Sequence, residues 1–248
     1  MKENEIENDK ESLLYLEGLI KEAPKDILSF IKLIKPDYQV NWHHKVITDT
    51  INRFVFSDLS RLMVFAPPQT GKSEIVSRCL PAYIFGINPN ARIGLISYND
   101  EFAIDFVRDI KLIMNSLEYQ LLFPNTKLYS KNVVTSIQSF AKNTSHTFDI
   151  VGYSGNLRAV GRDGSITGRP FTHLIVDDMI KNSMESMSET YRNTIWSLWK
   201  SAIWTRVRNV TRVIIMNTRW HTDDLAGRVL ASDNFGQWDI LRLQAIKE

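Results

Sequence analysis

The chain has 248 residues, 44% hydrophobic and 23% charged, with a formal net charge of +2. That is an ordinary globular composition, long enough for one substantial core. So small a net charge gives bulk electrostatics no case for nucleic acid, and any DNA contact must be local. A single cysteine, Cys79, excludes a disulfide framework and a multi-cysteine metal site. No apolar stretch approaches the roughly 20 residues that span a bilayer, and the acidic N-terminus is no signal peptide, so a cytoplasmic protein is expected.

Residues 1–10 are charged and expected to fray. Leu13, Leu14, Leu16, Leu19 and Ile20 then suggest an amphipathic helix ended by Pro24. A second helix runs from Ile27 to Ile34 and stops before Pro36. A connector over 37–44 leads to a third helix ending near Phe56. Residues 1–56 thus read as an N-terminal helical subregion beside a main fold over 57–248.

From Arg61 onward strand and helix signals alternate. An apolar run from Leu62 to Ala66 ends in Pro67-Pro68-Gln69-Thr70-Gly71-Lys72-Ser73, which opens a helix to about Phe85. Strand, loop and helix in that order form a phosphate-binding loop, because a helix N-terminus presents unpaired N–H donors and partial positive charge. Lys72 would reach the β- and γ-phosphates and Ser73 would sit on Mg²⁺. Ala66 stands where the strict pattern has its first glycine. Cys79, on the helix after the loop, reads as a small buried side chain.

Further along, a strand over 92–98 precedes a helix over 100–115, and strands are expected at 133–137 and 148–153. Glycines at 155, 161, 164 and 168 mark 154–170 as a long loop. A buried strand over 171–176 ends in Asp177-Asp178. A helix over 186–203 follows, then a strand over 212–216, a helix over 222–230 and a strand over 238–243. Short apolar strands separated by helices imply an α/β fold with a mainly parallel sheet covered on both faces.

Ligands of such sheets lie beyond the carboxyl ends of the strands. Asp177 placed there would hold Mg²⁺, and Asp178 would orient or deprotonate the attacking water. Asn217 or Thr218, ending another buried strand, could sense the γ-phosphate or that water. Thr222, with Asp223 and Asp224 behind it, is the expected cap of the next helix. Trp196, Trp199 and Trp204 have the spacing of a packed helix face, which outweighs a base-stacking platform. Arg206, Arg208 and Arg212, like Lys127, Lys131 and Lys142, are candidates for DNA phosphates or simply solvated.

Three stretches together resemble the large terminase subunit of tailed bacteriophages: 66–73, Leu174-Ile175-Val176-Asp177-Asp178, and 217–227 with its Thr218-Arg219-Trp220-His221 core. Residues 158–169 resemble that family as well, and the likeness runs from about Trp42 onward. The resemblance implies a RecA-like P-loop NTPase sheet with an additional strand between the phosphate-loop strand and the acidic one. It implies a Mg²⁺-dependent ATPase that drives double-stranded DNA into a procapsid in the host cytoplasm, with a portal protein and a small terminase subunit as partners and a homo-oligomeric ring on the portal. It also implies a C-terminal nuclease domain, for which the chain leaves no room, so an ATPase portion without DNA cutting is expected.

Two departures from the family pattern stand out. Many relatives carry an arginine in the phosphate loop where this chain has Pro68, and many end the acidic strand Asp-Glu rather than Asp177-Asp178. The missing positive charge is therefore expected in trans, with the resemblance favouring Arg158 over Arg162 and Arg169, and the isolated domain is expected to be a weak ATPase. The family also places adenine contacts before the third helix, where Trp42 would stack and Gln39 would read the base edge. Two alternatives remain. One is a helicase-like or repair ATPase. The other is an assembly module that binds nucleotide and hydrolyses little.

Overall fold

The computed structural model describes residues 2–129, 142–162, 164 and 170–244, without the side chains of 2–10. Its centre is a seven-stranded sheet in the order β3-β4-β2-β5-β6-β1-β7. The strands are β1 (Arg61–Phe65), β2 (Arg92–Ser97), β3 (Thr147–Asp149), β4 (Asn156–Gly161), β5 (His173–Asp177), β6 (Arg212–Asn217) and β7 (Asp239–Arg242). Only β3 runs antiparallel to its neighbour. The architecture is the expected α/β one, and β6 is the additional strand between β1 and β5.

Alternation along β1 explains why both faces need cover. Leu62 and Val64 face one core, and Met63 and Phe65 face the other. After an N-terminal helix, α1 (Lys2–Glu22), the first core holds α2 (Ile27–Ile34), α3 (Trp42–Phe56), α4 (Leu80–Ile87), α5 (Asp100–Met114) and α6 (Leu117–Leu122). Ile27, Phe30, Ile47 and Phe54 of the N-terminal helices are fully buried there beside Val64. The second core gathers around Trp199, which is fully buried, with Trp196 and Trp204 packed against Phe235. These tryptophans are packing groups, as their spacing implied.

Register sets the site. Phe65 pairs with Asn217, Asp177 with Met216, and Ser97 with Asp177, so the carboxyl ends of β1, β6, β5 and β2 finish level. Parallel strands ending in one row leave loop residues from four segments side by side.

Four local expectations are corrected. The strand expected over 148–153 ends at Asp149, and the chain turns at Gly152 with φ +79°. Within the expected loop, residues 156–161 form β4, because Leu157, Ala159 and Val160 bury against the sheet core. The helix expected to start at Thr222 is α9 (Leu225–Leu230), capped by Asp224, whose carboxylate accepts from Gly227 N at 2.8 Å. The single helix over 186–203 is instead α7 (Ser183–Met187), α8 (Glu189–Leu198) and a π-helical turn, Trp199–Ile203. The Arg212 guanidinium donates to the carbonyls of Phe54, Ser57 and Leu59 and ties the end of α3 to β6. The expected strand at 133–137, Lys131 and Arg169 lie outside the described residues.

Candidate active site

Between β1 and the following helix the backbone takes two left-handed turns, at Gln69 (φ 62°) and Gly71 (φ 73°). Such alternation curls successive N–H groups into an anion-binding concavity. Thr70 Oγ1 closes the loop on Pro67 O at 2.9 Å, while Pro68 and Gln69 are exposed on its outside. Gly71 is required on two counts. Its φ disfavours other residues, and a Cβ would lie 2.9 Å from His44 Nε2 and 3.2 Å from the Tyr38 hydroxyl.

His44 enters from the first turn of α3. Its Nδ1 accepts from Asn41 N at 3.0 Å, which leaves the proton on Nε2, the nitrogen that faces the loop. Burial, then the neighbouring His43, holds its pKa below the usual histidine range. The Tyr38 hydroxyl, buried beside it, has no hydrogen-bond partner among the described residues.

Past the loop the chain enters a π-helical turn, Glu74–Cys79, that runs on into α4. Lys72 is buried, and its Nζ meets Thr218 Oγ1 at 2.9 Å and Asp178 Oδ2 at 3.0 Å. Four residues apart on one helix face, Ser73 and Ser77 both donate to Asp177, at 3.2 Å and 2.6 Å. Asp177 is almost fully buried, and desolvation, reinforced by Asp178, pushes its pKa up to about 6. Asp178 follows in a left-handed turn, φ 42°, which aspartate tolerates better than most residues. Its N–H donates to Met216 O, and its carboxylate accepts from Thr218 N at 2.6 Å.

The structure thus brings Lys72, Ser73, Asp177, Asp178 and Thr218 together, and it separates the two sensor candidates. Thr218 joins Lys72, whereas buried Asn217 turns its amide to Asp224, the cap of α9. Ser77 and His44 were missed as site residues. Ser77 was legible as the i+4 partner of Ser73. Trp42 and Gln39 stand exposed one turn from His44, with Gln39 Nε2 on Asp37 O at 3.4 Å.

Arg158 lies mid-strand in β4, level with Gly94 of β2, and β2 separates β4 from β5. It does not converge on Lys72 within one chain. Arg162 pairs with Glu185 at 3.6 Å over the Tyr191 ring. Arg219, beside Thr218, is held by Asp224 at 2.7 Å and by the Thr222 carbonyl. Cys79 is fully buried and its thiol is pushed up by desolvation, consistent with a packing role.

A model of the terminase large subunit, T4-like virus type, N-terminal region, matches residues 63–247, three quarters of the chain. The chain belongs to the terminase large-subunit family. Among solved structures it is similar to a point mutant of the large terminase ATPase domain of Thermus phage P74-26, at 15% identity and a TM-score of 0.50. That likeness covers 76% of this chain and 68% of the other. It is also similar to the large terminase of bacteriophage HK97, at 11% identity and a TM-score of 0.54. There it covers 88% of this chain but 43% of the HK97 protein, less than half of that chain's length. At such identities the likeness carries the fold, and the matched family carries the link to viral DNA packaging. No functionally curated protein matches the sequence. Among the described residues no helix is long and apolar enough to cross a membrane.

Proposed function

We propose that this chain binds Mg-ATP in the loop over 67–73 and hydrolyses it to move double-stranded DNA into a procapsid. The observation that carries this reading is the meeting of Lys72 with Asp178 and Thr218, each from a different strand end. A loop of N–H donors binds the phosphates, and a buried lysine adds positive charge beside them. Ser73 Oγ and the Asp177 carboxylate supply the hard oxygens that Mg²⁺ prefers, so the residues fit that ion. Bound there, the ion would neutralise charge developing on the β- and γ-phosphates.

Asp178 is the proton acceptor. Its carboxylate is held by Lys72 and by Thr218 N. A γ-phosphate draws Lys72 toward itself and frees Asp178 Oδ2 to take a proton from the attacking water. Thr218, bonded to both partners, reports the exchange to β6. Arg158 of a neighbouring subunit in a homo-oligomeric ring supplies the charge that Pro68 cannot. The portal protein and small terminase subunit are the proposed partners, and the host cytoplasm is the proposed compartment. The 1–56 and 57–248 division is retained as a proposal about organisation, although both parts share one core.

The test is nucleotide binding and turnover in two variants. Lys72→Ala should lose both, and Asp178→Asn should bind Mg-ATP near the parent affinity while turnover falls by about 100-fold or more. Parental turnover in either variant sinks the assignment.

A further inference from the structure

Hydroxyls on the helices of this chain commonly donate to their own helix. Thr48, Thr50, Thr194 and Ser201 each donate to the carbonyl four residues back, the usual local partner of a helical hydroxyl. Ser77 does otherwise. It is fully buried, and its Oγ donates across to the end of β5, to Asp177 Oδ2 at 2.6 Å. The turn that carries it is π-helical, with Leu80 N donating to Ile75 O five residues back, and such turns recur at functional sites. None of the roles above uses this hydrogen bond.

The bond makes the two oxygens of Asp177 unequal. Oδ2 is turned to a hydroxyl closed off from solvent, whereas Oδ1 accepts from Ser73, which is partly exposed at the end of the phosphate loop. The terminal torsion of a free aspartate is broad and nearly two-fold, so nothing intrinsic distinguishes its oxygens. Both donors are neutral, and among the described residues no lysine, arginine or histidine forms an ion pair with Asp177. The carboxylate is therefore oriented without being neutralised. A cation-binding oxygen needs that arrangement, because partners behind a ligand fix its direction and leave its charge for the ion.

We infer that Ser77 is a positioning residue for the proposed metal site: it holds Asp177 Oδ2 so that Oδ1 faces Ser73 and the phosphate loop. The inference rests on the nucleotide reading above and adds to it a residue buried behind the ligand rather than touching the ion. Without the hydroxyl, a buried oxygen loses its donor and the carboxylate is free to turn. Affinity for the ion should fall, while the loop itself, built from the turns at Gln69 and Gly71, still binds phosphate.

Titration of Mg²⁺ against the ADP-dependent rise in melting temperature tests it without relying on turnover. Ser77→Ala should need about tenfold more Mg²⁺ than the parent for half the full rise, the loss typical when a partner behind a metal ligand is removed. With ADP and a chelator, parent and variant should show the same rise, because the hydroxyl acts only through the ion. Turnover should split the same way: the half-saturating Mg²⁺ concentration rises about tenfold, and kcat at saturating Mg²⁺ stays within about twofold. A hydroxyl that merely supports the fold would lower the melting temperature and leave the Mg²⁺ midpoint where it was, which overturns the proposal. So does a loss of the ADP response that is equal with and without Mg²⁺. Should Ser77→Ala not fold, Ser77→Cys, close in size and a weak donor, replaces it. Its midpoint should shift about threefold, and a parental midpoint overturns the proposal. A parent chain that gains no stability from ADP in either condition overturns the nucleotide reading itself. A responsive parent matched by Ser77→Ala overturns only the role of Ser77.

Discussion

The inner strands β5, β6 and β1 and the outer strand β4 divide the chemistry of this sheet unequally. At the inner edge, Lys72, Asp178 and Thr218 come from three segments and bond one another, while Asp177 accepts from Ser73 and Ser77. At the outer edge Arg158 sits in the body of a strand, beyond β2, with no phosphate site of its own chain beside it. The inner edge gathers the groups proposed to hold phosphate and water, and the outer edge places Arg158 on β4, separated by β2 from β5 and β6, so its proposed role is one toward another subunit. Arg219 does not fill the gap, because Asp224 and the Thr222 carbonyl already hold its guanidinium.

The sharpest way to break that contrast is Arg158→Ala. A residue acting across subunits should leave nucleotide affinity unchanged and remove the rise of specific activity with protein concentration, a loss of ~10³ in the assembled state. Turnover against concentration, parent beside variant, reads this directly. A flat parental line, or an Arg158→Ala line that still climbs, ends the trans assignment.

The inner edge was more legible than the outer for a physical reason. Apolar runs ending in polar residues mark parallel strands whose chemistry lies at their carboxyl ends, so Lys72, Ser73, Asp177, Asp178 and Thr218 could be read from local pattern. At β4 the signals conflict. Gly155 and Gly161 punctuate the segment like a loop, yet both are set by backbone crowding: an added Cβ would lie 2.1 Å from Pro89 O and 2.5 Å from Asp100 N. Glycine there marks close approach rather than flexibility, and only tertiary packing reveals that. The same holds at Gly227 in α9, where an added Cβ would lie 1.9 Å from Thr222 O. His44 was invisible for another reason: its role depends on which ring nitrogen a backbone N–H occupies.

The contrast sharpens at Asp177, where site and stability oppose each other. Its folded pKa of about 6 lies above the 3.8 of an unperturbed aspartate, so the native state binds more protons between those values. This group therefore favours the fold at low pH and loses that contribution as pH rises through about 6. At pH 8 the buried charge opposes folding. Asp177→Asn should then raise the melting temperature of the nucleotide-free chain by a few degrees, corresponding to roughly 1–3 kcal/mol. The gain should shrink toward pH 5, and the stabilisation conferred by Mg-ATP should disappear. In the parent, Mg²⁺ affinity should fall below about pH 6, where a proton competes for the carboxylate. A variant that melts below the parent at pH 8 would show that the hydrogen bonds from Ser73 and Ser77 outweigh the desolvation.

The smallest effect concerns the support behind the loop. His44 reaches Gly71 from α3 without joining the proposed phosphate cradle, so its loss removes positioning and leaves the chemistry intact. His44→Ala should weaken ATP and tripolyphosphate alike, by about fivefold, the cost of one modest hydrogen bond. Turnover at saturating nucleotide should stay near the parent, which separates it from Lys72→Ala. Because burial lowers its pKa, the unfolded chain takes up this proton more readily than the folded one. Stability from neutral His44 is therefore present above about pH 6.5 and lost as pH falls below it. His44→Ala should flatten that part of the melting curve between pH 7 and pH 5.5. Unchanged affinity for both ligands would leave the loop held by its own turns at Gln69 and Gly71, with α3 merely packed against it.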